Sequence, residues 1–500
     1  MTDNSLFYIE IRKDSMYNIK KINRGKVMKF RHSWCTDNNG APLINDEIKR
    51  YIAVRPSARQ LAFNEMKYYN FIHFGVNTFM GREWGDGTED PKIFKPSQLD
   101  TDQWCRILKN TGSKGIIFTA KHHDGFCLFD TKYTDHNVMN SPYGKDVMKE
   151  LSKSCKKYGL KLGIYLSPWD RHEKTYGSDA YNDYFVNQLT ELGTNYGDIF
   201  CFWFDGACGE GLGGKKQKYD WDRYYETIRK YQPDAIIANC GPDVRWIGNE
   251  AGRTRKAEWS VIPWTDDTLD AIAEKSQKNE AFGIDCFDRT DEDIASREKL
   301  LGKANLVWCP AEADVSINYG WFWQSDSYYK ERDKAPCRTA KELADIYFAT
   351  IGGNASLLLN VPTDKTGLIN AREIKVLKEF TKIIEDTFKE NMPYDLSLVS
   401  PDGEECVPGT DSFMMQENEA AIRLRPNGKF RTLVIEEDIR YSQRVEAFSV
   451  FADGKHVKDS TCIGACRILR FPKGLDADEI DIVITQSRSN PIIKSIRIYK

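Results

Sequence analysis

The amino-acid sequence predicts an α/β fold, a (β/α)8-like barrel followed by a C-terminal antiparallel β-sandwich. Between residues 68 and 362, eight short runs of β-branched and aromatic residues alternate with longer amphipathic segments, the order that builds a parallel sheet covered by helices. Those runs are apolar nearly throughout, as strands buried on both faces require. Past residue 395 the pattern changes to short alternating strands separated by turn dipeptides, the signature of a sandwich.

In order, the strand-like runs are "YYNFIHFGV", "KGIIFTAKHH", "LKLGIYLSPW", "DIFCFWFDG", "DAIIANCGP", "KAEWSVIPW", "NLVWCPAEA" and "ASLLLNVP". The segments between them carry helix punctuation. "TDQWCRILKNTG" has Thr101 or Asp102 to cap its start and Gly112 to end it. "GKDVMKELSKSCKKYG" places Val147, Leu151 and Cys155 at four-residue steps and stops at Gly159, and "WDRYYETIRKYQPD" closes at a proline. The helical pattern is less regular after Glu250. "EIKVLKEFTKIIEDTFKE" reads as a last long helix; beyond it Asn427-Gly428 and Asp453-Gly454 are hairpin-turn dipeptides. The expected division is an N-terminal extension over 1–60, the barrel over 61–394 and the sandwich over 395–500. The sandwich strands show no obvious exposed aromatic platform, which favours support over carbohydrate binding.

With 41% hydrophobic and 29% charged residues, the chain has material for a real core and is not expected to be disordered. A formal charge of −3 gives no electrostatic reason to expect nucleic acid or an anionic membrane as partner. No apolar run approaches the length of a membrane span. The first forty residues mix charges and contain no apolar signal region, so the chain as written is expected to be cytoplasmic, or periplasmic or secreted if a signal was removed. The 13 cysteines, odd in number and without a C-x-x-C pair, read as small buried hydrophobes in a reducing compartment.

Working residues in such barrels come from the C-terminal ends of strands. Asp205 closes the fourth strand, with Trp203 two residues before it on the same side. His73 ends the first strand, His122 and His123 the second, and Tyr165 and Trp169 the third. Together these residues describe a pocket of aromatic faces and neutral hydrogen-bonding groups. Adjacent residues on a strand point to opposite faces, so His122 and His123 are not expected to chelate together, and no other pairing supplies metal ligands. No metal and no cofactor is expected. "GEGLGG" (209–214) matches G-x-G-x-x-G but is followed by "KKQKYD" instead of a helix opening, so it reads as a flexible loop over the pocket. Such a pocket suits a neutral polyhydroxylated ligand. Glycosidic cleavage asks for a second carboxyl in surroundings that raise its pKa. Glu250, Glu258 and Glu312 all qualify, and spacing alone leaves the three open.

The run from "FIHFGVNTFMGREWGDGTEDPKIFKPSQLDTDQW" through "GIIFTAKHHDGFCLFDTKYTDHNV" to "FWFDGA", continuing through "GPDVRWIGNEAG", "AEADVSINYGWFW" and "LLLNVP", resembles the α-L-fucosidases of glycoside hydrolase family 29. The resemblance covers roughly residues 65 to 365 and implies a barrel with a following sandwich. It implies that Asp205 is the nucleophile, and that His73, Glu83, Trp84, His122, His123, Tyr165 and Trp203 hold the fucose ring. Trp321 would wall in the sugar's methyl group. The "WIGNEAG" form resembles the branch selective for α-1,3/1,4 linkages in branched, Lewis-type glycans, which makes Glu250 the proton donor.

The expected activity is therefore a retaining exo-α-L-fucosidase acting on fucosylated oligosaccharides or glycoconjugates, with its two carboxyls roughly 5–5.5 Å apart. A broad enzyme that also takes α-1,2/1,6 linkages, and a non-catalytic fucose-binding protein, are the alternatives.

Overall fold

The computed structural model describes residues 34–36, 42–264, 293–409 and 411–500. Most of the expected N-terminal extension, 1–33 and 37–41, lies outside the described residues. Among the described residues ten strands precede the sandwich: β1 (Tyr68–Ile72), β2 (Gly115–Lys121), β3 (Lys161–Leu166), β4 (Ile199–Phe204), β5 (Ile236–Asn239), β6 (Arg245–Trp246), β7 (Val261–Pro263), β8 (Leu306–Trp308), β9 (Ala311–Ser316) and β10 (Ala355–Asn360). Eight form one sheet in the order β5-β4-β3-β2-β1-β10-β9-β6, with every neighbouring pair parallel. A single parallel bridge between Ala238 and Val244 brings the two edge strands together and closes the barrel.

Side chains alternate along these strands, and both alternating sets are buried. Tyr69, Phe71, Ile117, Tyr165, Cys201, Trp203, Ala238 and Leu358 form one cluster, the barrel interior. Their neighbours Tyr68, Ile72, Ile116, Phe118, Ile164, Phe202, Ile237 and Leu357 belong to the larger cluster shared with the surrounding helices. Burial on two faces is why the strands read as unbroken apolar runs. Helix Val147–Tyr158 ends at Gly159 in the left-handed conformation, as expected. Helix Thr101–Asn110 is capped by Asp100, whose side chain accepts from the Gln103 amide at 3.0 Å, not by Thr101 or Asp102.

The sixth barrel strand is not where the sequence pattern puts it. In "KAEWSVIPW", β7 pairs antiparallel with β8 in a separate two-stranded sheet. The sixth position is taken by the two-residue β6, joined to β5 by five residues and no helix. The apolar residues of the displaced run are satisfied elsewhere: Trp259 and Ile262 bury against Ile48, Tyr51 and Cys462. An apolar run records burial, not partner. "NLVWCPAEA" splits between β8 and β9 at Pro310, which has no amide hydrogen to continue a ladder.

The sandwich comprises β11 (Tyr394–Val399), β12 (Glu405–Cys406), β13 (Phe413–Met414), β14 (Ala421–Pro426), β15 (Phe430–Glu437), β16 (Val445–Ala452), β17 (Lys455–Ser460), β18 (Arg467–Leu475), β19 (Ile480–Ser487) and β20 (Ile492–Tyr499). They form a six-stranded and a four-stranded antiparallel sheet, and Trp34 from near the N-terminus is buried in the core between them. Asp453 and Gly454, both at positive φ, join β16 to β17 as a two-residue hairpin. Asn427-Gly428 instead carries the chain from β14 in one sheet to β15 in the other, so this turn crosses the sandwich rather than closing a hairpin. No described helix is long and apolar enough to cross a membrane. Most of the described cysteines are buried.

Candidate active site

A cavity of about 440 Å³ opens at the C-terminal ends of the barrel strands, and all ten site residues expected from the sequence line it. The pocket is built first from inward-facing positions on adjacent strands. His122, Tyr165 and Trp203 stand side by side from β2, β3 and β4; the His122 and Tyr165 rings stack at 5.6 Å and those of Tyr165 and Trp203 at 5.5 Å. The strand register explains this, since Thr119 pairs with Tyr165 and Tyr165 with Trp203. A register shift between Thr119 and Lys121 ends β2 irregularly. Beyond it both His122 and His123 turn into the cavity, with ring centroids 4.1 Å apart. The expectation that adjacent residues face opposite ways fails here because it holds only inside a regular strand.

Hydrogen bonds set the histidine tautomers. His73 Nδ1 lies 2.9 Å from Asn360 Oδ1, while the Asn360 amide nitrogen donates to Ser316 Oγ and to the Trp321 carbonyl. Asn360 Oδ1 must therefore accept, and His73 donates from Nδ1, leaving Nε2 an acceptor. Likewise Ser167 Oγ donates to the Trp169 carbonyl at 2.6 Å, so His123 Nδ1 donates to Ser167 at 2.7 Å. Burial pushes His73 down to about 3 and His123 to about 4, and it pushes His122 well below the ordinary range. All three rings are neutral near pH 7 and suit sugar hydroxyls better than anions. The His122 Nδ1 is buried without a partner among the described residues.

Asp205 follows β4 on its inward face. Tyr165 donates its hydroxyl to Asp205 Oδ2 at 2.8 Å, the Ala207 amide donates to Oδ1 at 2.9 Å, and His123 Nε2 lies 3.7 Å from Oδ2. Glu250 reaches the cavity from the other side, on a turn folded by its neighbours. The Asn249 side chain accepts from the Ala251 and Arg253 amides at 3.1 and 3.0 Å and donates to the Arg253 carbonyl at 2.8 Å. Crowding by the pocket walls, then the Asp205 charge and more weakly Glu83, push the Glu250 carboxyl up to about 7. Its outer edge stays open to solvent, and Trp321 Nε1 donates to it at 3.3 Å.

The two competing glutamates are occupied elsewhere. Glu312 lies under the pocket, where it accepts from Trp203 Nε1 at 2.6 Å and from the Tyr69 hydroxyl. Glu258 is fully buried between Arg245 and Arg255, and its carbonyl accepts from Gln443 of the sandwich at 3.0 Å. Only Glu250 of the three lines the cavity.

Glu83 holds the wall that carries Trp321, accepting from the Trp321 and Phe322 amides at 2.7 and 3.4 Å. A Cβ on Gly320 would lie 2.6 Å from Glu83 Oε1, so glycine there permits the approach. Trp84 packs edge-on against His123 and Trp169. "GEGLGG" does not line the cavity. Its Gly209 lies against Trp169 and its Gly211 against Tyr176, and Trp169 Nε1 donates to the Glu210 carbonyl at 3.2 Å. It is anchored behind the pocket, not draped over it.

Several lining residues escaped sequence reasoning. Asp314 and Ser316 follow Glu312 at steps of two on β9 and share its inward face; Asp314 accepts from Trp246 Nε1 at 2.6 Å. The alternation in "AEADVS" was the available signal. Asn239 ends β5 at φ +63, buried, with its Oδ1 unpartnered among the described residues. A non-glycine residue in that conformation is what functional sites tend to hold. Among the described residues no group of three or more metal-binding side chains comes together.

A family model described as α-L-fucosidase matches residues 44–387. The chain is 35% identical to Alpha-L-fucosidase 1 of Arabidopsis thaliana over 89% of this chain and 87% of the plant protein. A Bacteroides ovatus crystal structure superposes with TM-score 0.78 at 40% identity, covering 91% of this chain and 76% of the other. A Ruminococcus gnavus GH29 fucosidase, solved in complex with fucose, superposes with TM-score 0.73 at 30% identity, covering 91% and 96%.

Proposed function

The chain belongs to the α-L-fucosidases of glycoside hydrolase family 29, and we propose that it is a retaining exo-enzyme for terminal α-1,3/1,4-linked fucose on branched, Lewis-type glycans. One observation carries the mechanism: two carboxyls share a cavity in contrasting surroundings. Asp205 receives two hydrogen bonds from Tyr165 and Ala207, the setting an ionised nucleophile needs. Glu250 is held up near pH 7, where a general acid works best.

In this mechanism Asp205 attacks the anomeric carbon as the glycosidic bond breaks, and the Glu250 proton passes to the departing oxygen. Glu250, now ionised, takes a proton from water, whose oxygen attacks the anomeric carbon and frees Asp205. The neutral His73 and His123 rings each present an Nε2 acceptor to the sugar hydroxyls, and Tyr165 and Trp203 give its carbon–hydrogen face a platform. The linkage assignment rests on the "WIGNEAG" form of the turn that presents Glu250.

The test is fucose release from a Lewis-type trisaccharide beside its α-1,2-linked isomer, with the first anomer released followed by NMR. α-Fucose appearing first, mainly from the branched sugar, is the expected result. β-Fucose first would overturn retention, and equal rates would replace the linkage assignment with a broad enzyme.

A further inference from the structure

The cavity is lined by two cations that the reaction above does not use. Lys334 and Arg338 both line the cavity and come from the segment after β9 that also supplies Trp321. Arg338 is fixed in place: its Nε donates to the Ser316 carbonyl at 2.9 Å, its amide to the Ile317 carbonyl at 2.8 Å, and its guanidinium lies 5.3 Å from the Tyr319 ring centre. These contacts use one of the five guanidinium N–H donors. Its terminal amino groups find no acceptor among the described residues; the nearby Glu342 carboxylate acts on it only through its charge, being hydrogen-bonded by Thr339. Lys334 is exposed and its ammonium likewise has no acceptor among the described residues.

Elsewhere the fold can pair a half-buried guanidinium directly with carboxylates. In the sandwich, Arg425 is paired with both Glu405 and Glu479. Holding guanidinium N–H donors partly out of water without an acceptor is costly. The cavity's own carboxylates do not supply one: Asp205 is bonded by Tyr165 and Ala207, Glu83 by two backbone amides, Glu250 by Trp321 and Asp314 by Trp246. A planar fork with free donors beside an ammonium suits a carboxylate or a sulfate.

Position assigns the side of the substrate. A general acid protonates the departing oxygen, so Glu250 marks the leaving-group side, and Trp321 bonds Glu250 from the same segment as the two cations. We propose that Lys334 and Arg338 form an anion subsite for a carboxylate or sulfate ester on the leaving-group sugars, which makes acidic branched fucosylated glycans the preferred substrates. This rests on the proposed function and names its substrate class more closely.

The experiment compares kcat/KM for four substrates at low and high salt: an aryl fucoside, a neutral Lewis-type trisaccharide, and that trisaccharide with either a sialic acid or a sulfate ester on galactose. Acidic glycans are expected to exceed the neutral one by about tenfold at low salt, the ratio shrinking as salt rises. Lys334→Ala, at an exposed position, should lower the acidic-to-neutral ratio several-fold, and Arg338→Lys should lower it further because the fork is lost. A preference for one anion assigns the subsite to carboxylate or sulfate; a preference for both assigns it to charge. Neutral and acidic glycans cleaved equally, or a ratio unmoved by both substitutions, would overturn the subsite and leave the proposed function standing. Turnover of the aryl fucoside with none of the branched glycans would overturn the linkage assignment and the subsite together.

Discussion

The two halves of the barrel are built differently, and the chemistry divides along the same line. Strands β1 to β4 have five to seven residues each, and helices follow them. That half supplies His73, the two histidines after β2, Tyr165, Trp203 and Asp205. The other half has a four-residue β5, a two-residue β6 and no helix between them, and its Glu250 sits on a turn. Rigid strands suit the part of the substrate that is always fucose, whereas loops suit the part that varies. On the proposed function, the β1 to β4 side meets most of the fucose ring, and the β5–β6 side, with Glu250 on its turn, meets the leaving group.

The sharpest test of that division is Asp205→Asn. It should cost more than about 10³-fold in kcat on every fucoside, because the covalent step is lost whatever the leaving group. A loss that depended strongly on the leaving group would break the division. Glu250→Ala should cost about 10²–10⁴-fold on natural glycans and far less on activated aryl fucosides, which need little proton assistance. Equal losses on both substrate types would reject Glu250 as the acid.

The pH profile follows from Glu250. With its carboxyl raised to about 7, kcat/KM should fall on the alkaline side as the acid deprotonates, with an apparent pKa near 7. His73 and His123, lowered to about 3 and 4, stay neutral throughout the working range. Glu250→Gln should abolish that alkaline limb in the residual activity on aryl fucosides. A limb that persists would assign it to another group.

Glu258→Gln probes the same half of the barrel away from the cavity. Removing a fully buried charge between Arg245 and Arg255 should destabilise the fold by about 3–5 kcal/mol, read as a lower denaturant midpoint, while kcat of the remaining folded enzyme holds. The smallest effect is on thermal stability. A carboxyl whose folded pKa exceeds its unfolded value stabilises while protonated, and that contribution fades as pH rises from about 4.5 toward 7. Glu250→Gln should therefore melt about 1–2 °C above wild type at pH 8 and not at pH 4. The reverse pH dependence would remove the raised pKa from the account.

Much of this was legible in the sequence, and unevenly so. The eight apolar runs announced a covered parallel sheet, and a polar residue closing such a run marked Asp205, His73 and the histidines after β2. Local alternation decides these features, because a strand's own period fixes which side chains share a face. The displaced "KAEWSVIPW", the Asn427-Gly428 turn that joins two sheets, and the choice among Glu250, Glu258 and Glu312 were not decided locally. Each depends on which partner a segment meets once folded: β8 for β7, and Arg245 with the sandwich's Gln443 for Glu258. The same holds for Asn360, whose two amide bonds set the His73 tautomer from the neighbouring strand, and for Arg338, whose unused N–H donors are visible only when its surroundings are assembled. The sequence by itself determined the layers and the place of Asp205 at a strand end. Only the tertiary structure decided which carboxyl faces it, because burial and electrostatic coupling belong to neighbours far apart in the chain.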